Sequence, residues 1–155
     1  MRVLMFISAL FLACNLSAAS FEELRAKVGS KESVILSEGT FLEGVIVSDY
    51  TSLNMEGPVQ VSYNEVDPVM TFRTAYIQSS DGNYGFRIQF NSVYDNRFPR
   101  FSRVKMDLGG AILTRETDPE RYTISNLVGA FVTVLEENVQ LTPKVRHIAD
   151  LTDND

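Results

Sequence analysis

One segment constrains the fold more than any other: TAYIQSSDGNYGFRIQF, from Thr74 to Phe90. Asp81 and Gly82 form a turn signal, because glycine accepts the backbone angles that a tight hairpin needs. Apolar and polar residues alternate on both sides of this turn, beginning at Met70. In the second run the apolar positions are Tyr84, Phe86, Ile88 and Phe90. The pattern predicts a β-hairpin whose second strand has one apolar face.

Two further stretches have residue patterns that are typical of strands. SVILSEGTFLEGVIVSDY, residues 33–50, is rich in β-branched residues and predicts one long strand, bent or bulged at Gly39 and Gly44. RVKMDL, residues 103–108, alternates cleanly and predicts a strand with Val104, Met106 and Leu108 facing inward. The Gly109–Gly110 pair is expected to turn the chain, so that AILT returns alongside that strand.

A short helix is expected before the strands. Ser20 precedes Glu23 by three residues, which is the spacing of a capping box. Phe21, Leu24 and Val28 follow at helical spacing, and Gly29 is a natural stop. The sequence therefore predicts an amphipathic helix that lays its apolar face on the sheet.

Size and charge limit the possible partners. A chain of 155 residues, 45% of them hydrophobic, supports one domain with a substantial core. Its formal charge of −6 gives no overall attraction to nucleic acid or to anionic lipid. Any anion-binding surface must therefore be local.

The first nineteen residues, MRVLMFISALFLACNLSAA, predict a signal peptide. The apolar run is too short for a typical membrane span. Small residues at Ser17 and Ala19 suit cleavage before Ser20, which would leave a soluble exported protein. In the alternative, a lipoprotein signal ends before Cys14, which then carries the lipid anchor. Both cuts remain open, and the location is expected to be periplasmic or anchored at the outer membrane.

The sequence contains few reactive side chains. Cys14 is the only cysteine and His147 the only histidine, so a thiol nucleophile or a zinc site of ordinary type is not expected. The acidic tail lacks the glycine turn and the bidentate glutamate of a calcium loop. We therefore expect no enzyme activity, no cofactor and no metal.

The order of these segments is that of an OB-fold barrel. Five pieces of the sequence resemble an uncharacterised family of OB-fold-like domains from exported proteins and lipoproteins of Bacteroidetes cell envelopes. These pieces are FEELRAKV, LEGVIVSD, AYIQSSDGNYGFRIQF, NRFPRFSRVKMDLGGAIL and VRHIADL. The resemblance implies an all-β fold with one leading short α-helix, built as a five-stranded Greek-key barrel over residues 20–151. Residues 152–155 are expected to form a flexible acidic tail. The family has no established activity and supplies no catalytic residues.

These features predict an exported, non-enzymatic binding or interaction module with a protein or glycan partner. The usual ligand face of such a barrel selects six candidate contacts: Tyr50, Arg73, Tyr76, Arg87, Arg97 and Arg100. The stretch RFPRFSRVK interleaves cations and aromatics, as a groove for sugars or single-stranded nucleic acid would. The favoured interpretation of this stretch is structural, with core phenylalanines beside a basic edge that deters aggregation, and nucleic acid is a disfavoured ligand. A structural subunit of an envelope assembly is a further alternative.

Overall fold

The computed structural model describes residues 18–51 and 68–142, and its fold is all-β with a leading helix. The predicted signal peptide, Cys14, His147 and the tail at 152–155 lie outside these ranges. The elements, in chain order, are α1 (Phe21–Val28), β1 (Ser33–Ile35), β2 (Phe41–Ile46), α2 (Pro68–Arg73), β3 (Thr74–Gln78), β4 (Gly85–Phe90), β5 (Arg103–Asp107), β6 (Ile112–Thr117), β7 (Glu120–Leu127) and β8 (Val132–Glu136). A 3₁₀ turn, Gly129–Phe131, leads into β8.

The described strands form one open sheet of eight, in the order β1-β6-β7-β4-β3-β2-β5-β8. The predicted closed barrel of five strands is therefore wrong. Of the pairings in this order, β4 with β7 is parallel and the others are antiparallel. The strand count differs partly because the long strand predicted over residues 33–50 is divided into β1 and β2, and because β8 extends the sheet beyond β5.

Two glycine bends lie against each other. Gly39 and Gly110 adopt φ angles of 75° and 78°, a left-handed conformation that glycine reaches without strain. The Leu36 N–H donates to the Ala111 carbonyl at 2.8 Å, and the Gly110 N–H donates to the Leu36 carbonyl at 2.9 Å. The predicted return of AILT along β5 is wrong, because β6 pairs instead with β1 and β7.

Chain connectivity requires the sheet to curve. Strands β5 and β6 hold the seventh and second places in the sheet order. Five strand spacings in a flat sheet would separate them by about 24 Å. The five steps from Asp107 to Ile112 reach at most about 18 Å even when fully extended. The sheet therefore bends round its core, which includes Phe86, Ile88, Phe90, Leu42, Met106, Leu108 and Leu113.

The predicted hairpin is confirmed from Thr74 onward. Strands β3 and β4 pair in antiparallel register, and Gly82 takes a φ of 68° in the turn. Asp81 stabilises that turn, because its Oδ1 accepts from the Asn83 N–H at 3.0 Å. The prediction of a strand before Thr74 is wrong, since residues 68–73 form α2. The Thr74 hydroxyl donates to the Met70 carbonyl at 2.7 Å and ties the two elements together.

The leading helix α1 forms as predicted. Ser20 and Glu23 make both bonds of the capping box, and Gly29 ends the helix. The Phe21 ring stacks on Phe86 with centroids 5.0 Å apart, while Leu24 and Val28 are buried beneath the helix. Within the part of the chain that the structure describes, no helix combines the length and apolar character needed to cross a membrane.

Candidate ligand-binding groove

A groove of about 550 Å³ lies between α1, the β3–β4 hairpin and the first residues of β7. We call it the tyrosine groove. Its volume falls within the range of small-molecule sites, which is about 300–1,000 Å³. It is lined by Arg25, Val47, Tyr76, Ile77, Gln78, Gly82, Asn83, Tyr84, Gly85, Phe86, Arg87, Glu120, Arg121 and Tyr122. The parallel pairing of β7 with β4 places residues distant in the sequence on this one surface.

Arg25 reaches from α1 over two of the tyrosines. Its guanidinium carbon lies 4.4 Å from the centre of the Tyr122 ring and 5.4 Å from that of Tyr84. Both distances are within the range of a cation–π contact. Because Phe21, Leu24 and Val28 fix the helix on the core, Arg25 is directed to this position by the packing of its own turn.

Glu120 is the anionic centre of the groove. Its carboxylate accepts from Arg25 at 3.1 Å, from the Tyr122 hydroxyl at 3.0 Å and from Arg115 at 2.7 Å. These contacts lower the pKa of Glu120 below its ordinary value, the Tyr122 hydrogen bond being the largest cause and Arg115 the next. Glu120 therefore stays ionised and holds the two arginines in place.

Two more arginines line the groove, Arg87 on β4 and Arg121 on β7. Arg87 Nη2 contacts Glu116 at 2.8 Å and its Nε donates to the Thr123 hydroxyl at 3.0 Å, so its guanidinium has a fixed position. Arg121 has only a longer contact to Glu116, at 3.9 Å, and its side chain is 42% exposed. A cation held this loosely is available to a ligand.

The groove has a charge opposite to that of the rest of the chain. Its lining contains three arginines and one glutamate, which gives +2. Since the whole chain carries −6, the remaining residues carry −8. A local cationic surface therefore lies here, on an otherwise acidic molecule.

A second, apolar depression of about 440 Å³ lies beside α2. We call it the apolar depression; it is lined by Tyr50, Val69, Phe72, Val93, Tyr94, Asn96 and Arg97. Tyr94 is 73% exposed and Val69 54% exposed, which is high for large apolar side chains. Asn96 beneath it is buried, and its amide donates to the Phe72 and Thr74 carbonyls at 3.0 Å each.

The six predicted contact residues do not form a single surface. Tyr76 and Arg87 face each other across β3 and β4 and both line the tyrosine groove. Tyr50 and Arg97 line the apolar depression instead. The remaining two have local partners, since Arg73 donates to the Phe90 carbonyl at 2.6 Å and Arg100 lies 4.6 Å from the Phe101 ring centre.

The basic and aromatic stretch at 97–105 is divided among several roles. Phe98 is buried and lies 5.6 Å from the Phe90 ring, so it belongs to the core. Arg103 contacts Glu136 on β8 at 3.1 Å, and Lys105 lies 4.7 Å from the Phe41 ring. This arrangement favours the interpretation as core plus a solvated basic face.

Sequence reasoning missed Arg25, Tyr84, Arg121 and Tyr122 as candidates. Tyr84 fell on the apolar alternation and was assigned to the core, although its ring is only partly buried. The others come from a helix and from a strand whose parallel partner no local pattern specifies. Arg121 and Tyr122 share one signal in the sequence, the adjacent cation and tyrosine of RYT, residues 121–123, whereas the sequence around Arg25 has no nearby tyrosine.

In the described ranges, no three of the His, Cys, Asp and Glu side chains are grouped closely enough to hold a metal ion. Comparison with known proteins adds no assignment of family or activity. No protein-family model, no curated protein and no solved structure matches this chain.

Proposed function

We propose that this protein is an exported, non-enzymatic binding module of the bacterial cell envelope and that its ligand lies in the tyrosine groove. The observation that carries the proposal is the cation clamped at the groove wall. Arg25 lies over Tyr84 and Tyr122, in a surface of charge +2 on a chain of charge −6. Aromatic surface beside pre-positioned arginines is an arrangement that favours binding over packing.

The strand pairing supports an OB-like relationship. Strands β2, β3 and β4 pair as a meander, β4 pairs in parallel with β7, β7 pairs with β6, and β5 pairs with β2. If β1–β2 and β5–β6 are each counted as one bent strand, these pairings join into a circuit of five. The tyrosine groove would then lie on the face that OB folds use for ligands.

Nuclear magnetic resonance titration tests the binding proposal. The isotope-labelled protein is titrated with neutral glycans, acidic glycans, oligodeoxythymidine and peptides. At least one ligand should shift the backbone signals of β3, β4 and β7, and Tyr122→Ala should weaken that binding. Tyr94→Ala is the matched control, because it removes an exposed tyrosine outside the groove. Shifts confined to the apolar depression, or none with any ligand, would refute the proposal.

Export is a separate part of the proposal and has its own measurement. The intact mass of the mature protein is taken from the membrane and soluble fractions of its natural host. A chain that begins at Cys14 with added acyl groups establishes an anchored lipoprotein. A chain that begins at Ser20 without modification establishes a diffusible exported protein. A full-length chain that retains Met1 would contradict export.

A structural role in an envelope assembly is the second candidate, and the apolar depression favours it. Tyr94, Val69 and Phe72 expose large apolar surface on one side of the molecule. In an assembly, this surface would be covered by a partner subunit. Size-exclusion chromatography of envelope extracts tests the idea. The wild type should elute as a larger complex and the Phe72→Ser, Tyr94→Ser variant at monomer size, whereas a monomeric wild type would refute it.

A further inference from the structure

We infer that the ligand of the tyrosine groove is an anionic oligosaccharide, a chain of sugars that carries carboxylate or phosphate groups. This inference rests on the proposed binding function and names its ligand class. It depends on three features of the groove: a small net positive charge, neutral polar groups without partners, and tyrosine rings already covered on one face.

The charge suits a ligand with few negative groups. The lining provides +2, while the rest of the chain carries −8. Nucleic acid carries one negative charge per phosphate, and its affinity depends on neutralising several of them. The surrounding negative charge would repel such a polymer beyond the groove. One or two anionic groups, spaced by neutral sugar, match what the lining offers.

Neutral hydrogen-bonding groups lie between the cations. The Gln78 side-chain amide and the Tyr84 hydroxyl line the groove, and neither has a hydrogen-bond partner in residues 18–51 or 68–142. An amide offers both donor and acceptor atoms, as does a phenol. Sugar hydroxyls also donate and accept, so they complement both groups at once. Arg121, with its long contact to Glu116, adds the loosely held cation for the anionic group.

The tyrosine rings are poorly placed for stacking on bases. Single-strand nucleic-acid binders need open aromatic faces on which successive bases lie. Here the Arg25 guanidinium covers one face of Tyr122 at 4.4 Å and approaches Tyr84 at 5.4 Å. The Tyr122 hydroxyl donates to Glu120 at 3.0 Å, and the Tyr84 hydroxyl has no partner within residues 18–51 and 68–142, so it can bond a ligand. This geometry favours hydrogen bonding to hydroxyl-rich ligands over stacking.

Isothermal titration calorimetry on the full chain tests the ligand class. The probes are a hyaluronan tetrasaccharide, whose two carboxylates are spaced by neutral sugar, mannopentaose phosphate for phosphate, maltotetraose as the neutral glycan, and an eight-residue oligodeoxythymidine. Arg121→Gln removes the loosely held charge, and Tyr84→Phe removes the hydroxyl while keeping the ring. Lys27→Gln is the matched control, because Lys27 is an exposed cation of α1 outside the groove.

At least one acidic glycan should bind, and the preferred acid identifies the anionic group. Arg121→Gln should weaken that binding about tenfold, the size of one charge-assisted hydrogen bond. Tyr84→Phe should weaken it about threefold or more, and Lys27→Gln less than twofold. Raising the salt concentration should also weaken binding, because the contact is partly ionic.

Three results would overturn the inference. Equal binding of maltotetraose and the acidic glycans would remove the anionic requirement, and binding of oligodeoxythymidine alone would replace the ligand class. In both cases the groove would still bind a ligand, so the proposed function would survive. Absence of binding to all four probes, with the fold intact by circular dichroism, would refute the ligand class. The proposed binding function would then be tested by the nuclear magnetic resonance titration, which covers a wider set of ligands.

Discussion

The side chain of Ser102 is buried with its hydroxyl unsatisfied. The residue is fully enclosed at 0% exposure, and its Oγ has no hydrogen-bond partner among residues 18–51 and 68–142. Its backbone is well bonded, since its carbonyl accepts from the Ile46 N–H at 2.9 Å. Replacing Ser102 with alanine would therefore remove a costly group without disturbing the pairing around it.

The expected gain follows from the cost of a buried polar group. An unsatisfied hydroxyl in a protein interior costs about 1–3 kcal/mol, while removing one oxygen leaves little empty volume. We expect Ser102→Ala to raise the free energy of unfolding by about 1 kcal/mol. For a domain of this size that corresponds to a rise in Tm of about 4 °C.

Ser48→Ala is the matched control because it makes the same chemical change with the opposite expected sign. The Ser48 hydroxyl accepts from the Tyr76 N–H at 2.9 Å. Its removal leaves that amide without this acceptor, so we expect a loss of about 1 kcal/mol. Urea unfolding, followed by circular dichroism, measures both variants against the wild type at equal pH and salt.

The signs of the two changes in the free energy of unfolding test this reasoning. If Ser102→Ala is neutral or destabilising while Ser48→Ala is destabilising, the Ser102 hydroxyl has a partner, such as a buried water, and the argument from an unsatisfied group is wrong. If both variants are stabilising, the hydrogen bond from the Tyr76 N–H to Ser48 contributes nothing measurable to the free energy of unfolding, and its interpretation here is wrong.

Three further predictions concern the core, the sheet and the groove. Leu24→Ala, which truncates a fully buried side chain, should lower the urea-derived free energy of unfolding by about 2–5 kcal/mol, and a loss under 1 kcal/mol would mean that α1 is not docked. Gly44→Ala should cost about 1–3 kcal/mol in the same assay, because its Cβ would lie 2.8 Å from the Gln78 carbonyl oxygen; an unchanged midpoint would contradict this packing. Because folding lowers the pKa of Glu120 below its ordinary value of 4.5, its stabilising effect is present above that pH and is lost as pH falls through the folded value. The stability advantage of wild type over Glu120→Gln should thus be largest near pH 7 and shrink below about pH 4.5, and a pH-independent difference would rule out the ionic contacts as its source.

Local signals predicted the elements but not their assembly. The capping box at Ser20, the turn at Gly82 and the inward alternation of Val104, Met106 and Leu108 all correspond to observed structure. Each depends on residues within one element, where backbone preference and periodicity act directly. The break at Thr74 was missed because alternation alone does not distinguish a strand from one turn of helix.

The candidate groove was only partly predictable. Tyr76 and Arg87 were selected because a hairpin fixes which residues face each other, and the structure pairs them. Arg25 and Tyr122 were missed because they meet only when β7 lies parallel to β4 and α1 packs beside them. Such contacts join residues about a hundred positions apart, and no local preference encodes them.

Local sequence patterns were enough to predict a β-rich chain with a capped leading helix, an acidic charge and core residues that alternate along the strands. The order of the eight strands in one open sheet, and the cationic groove between α1, the β3–β4 hairpin and β7, depend on contacts between distant parts of the chain. The difference lies in the distance along the chain over which each effect acts. Periodicity and capping act over a few residues, whereas strand order depends on which distant apolar faces can be buried together.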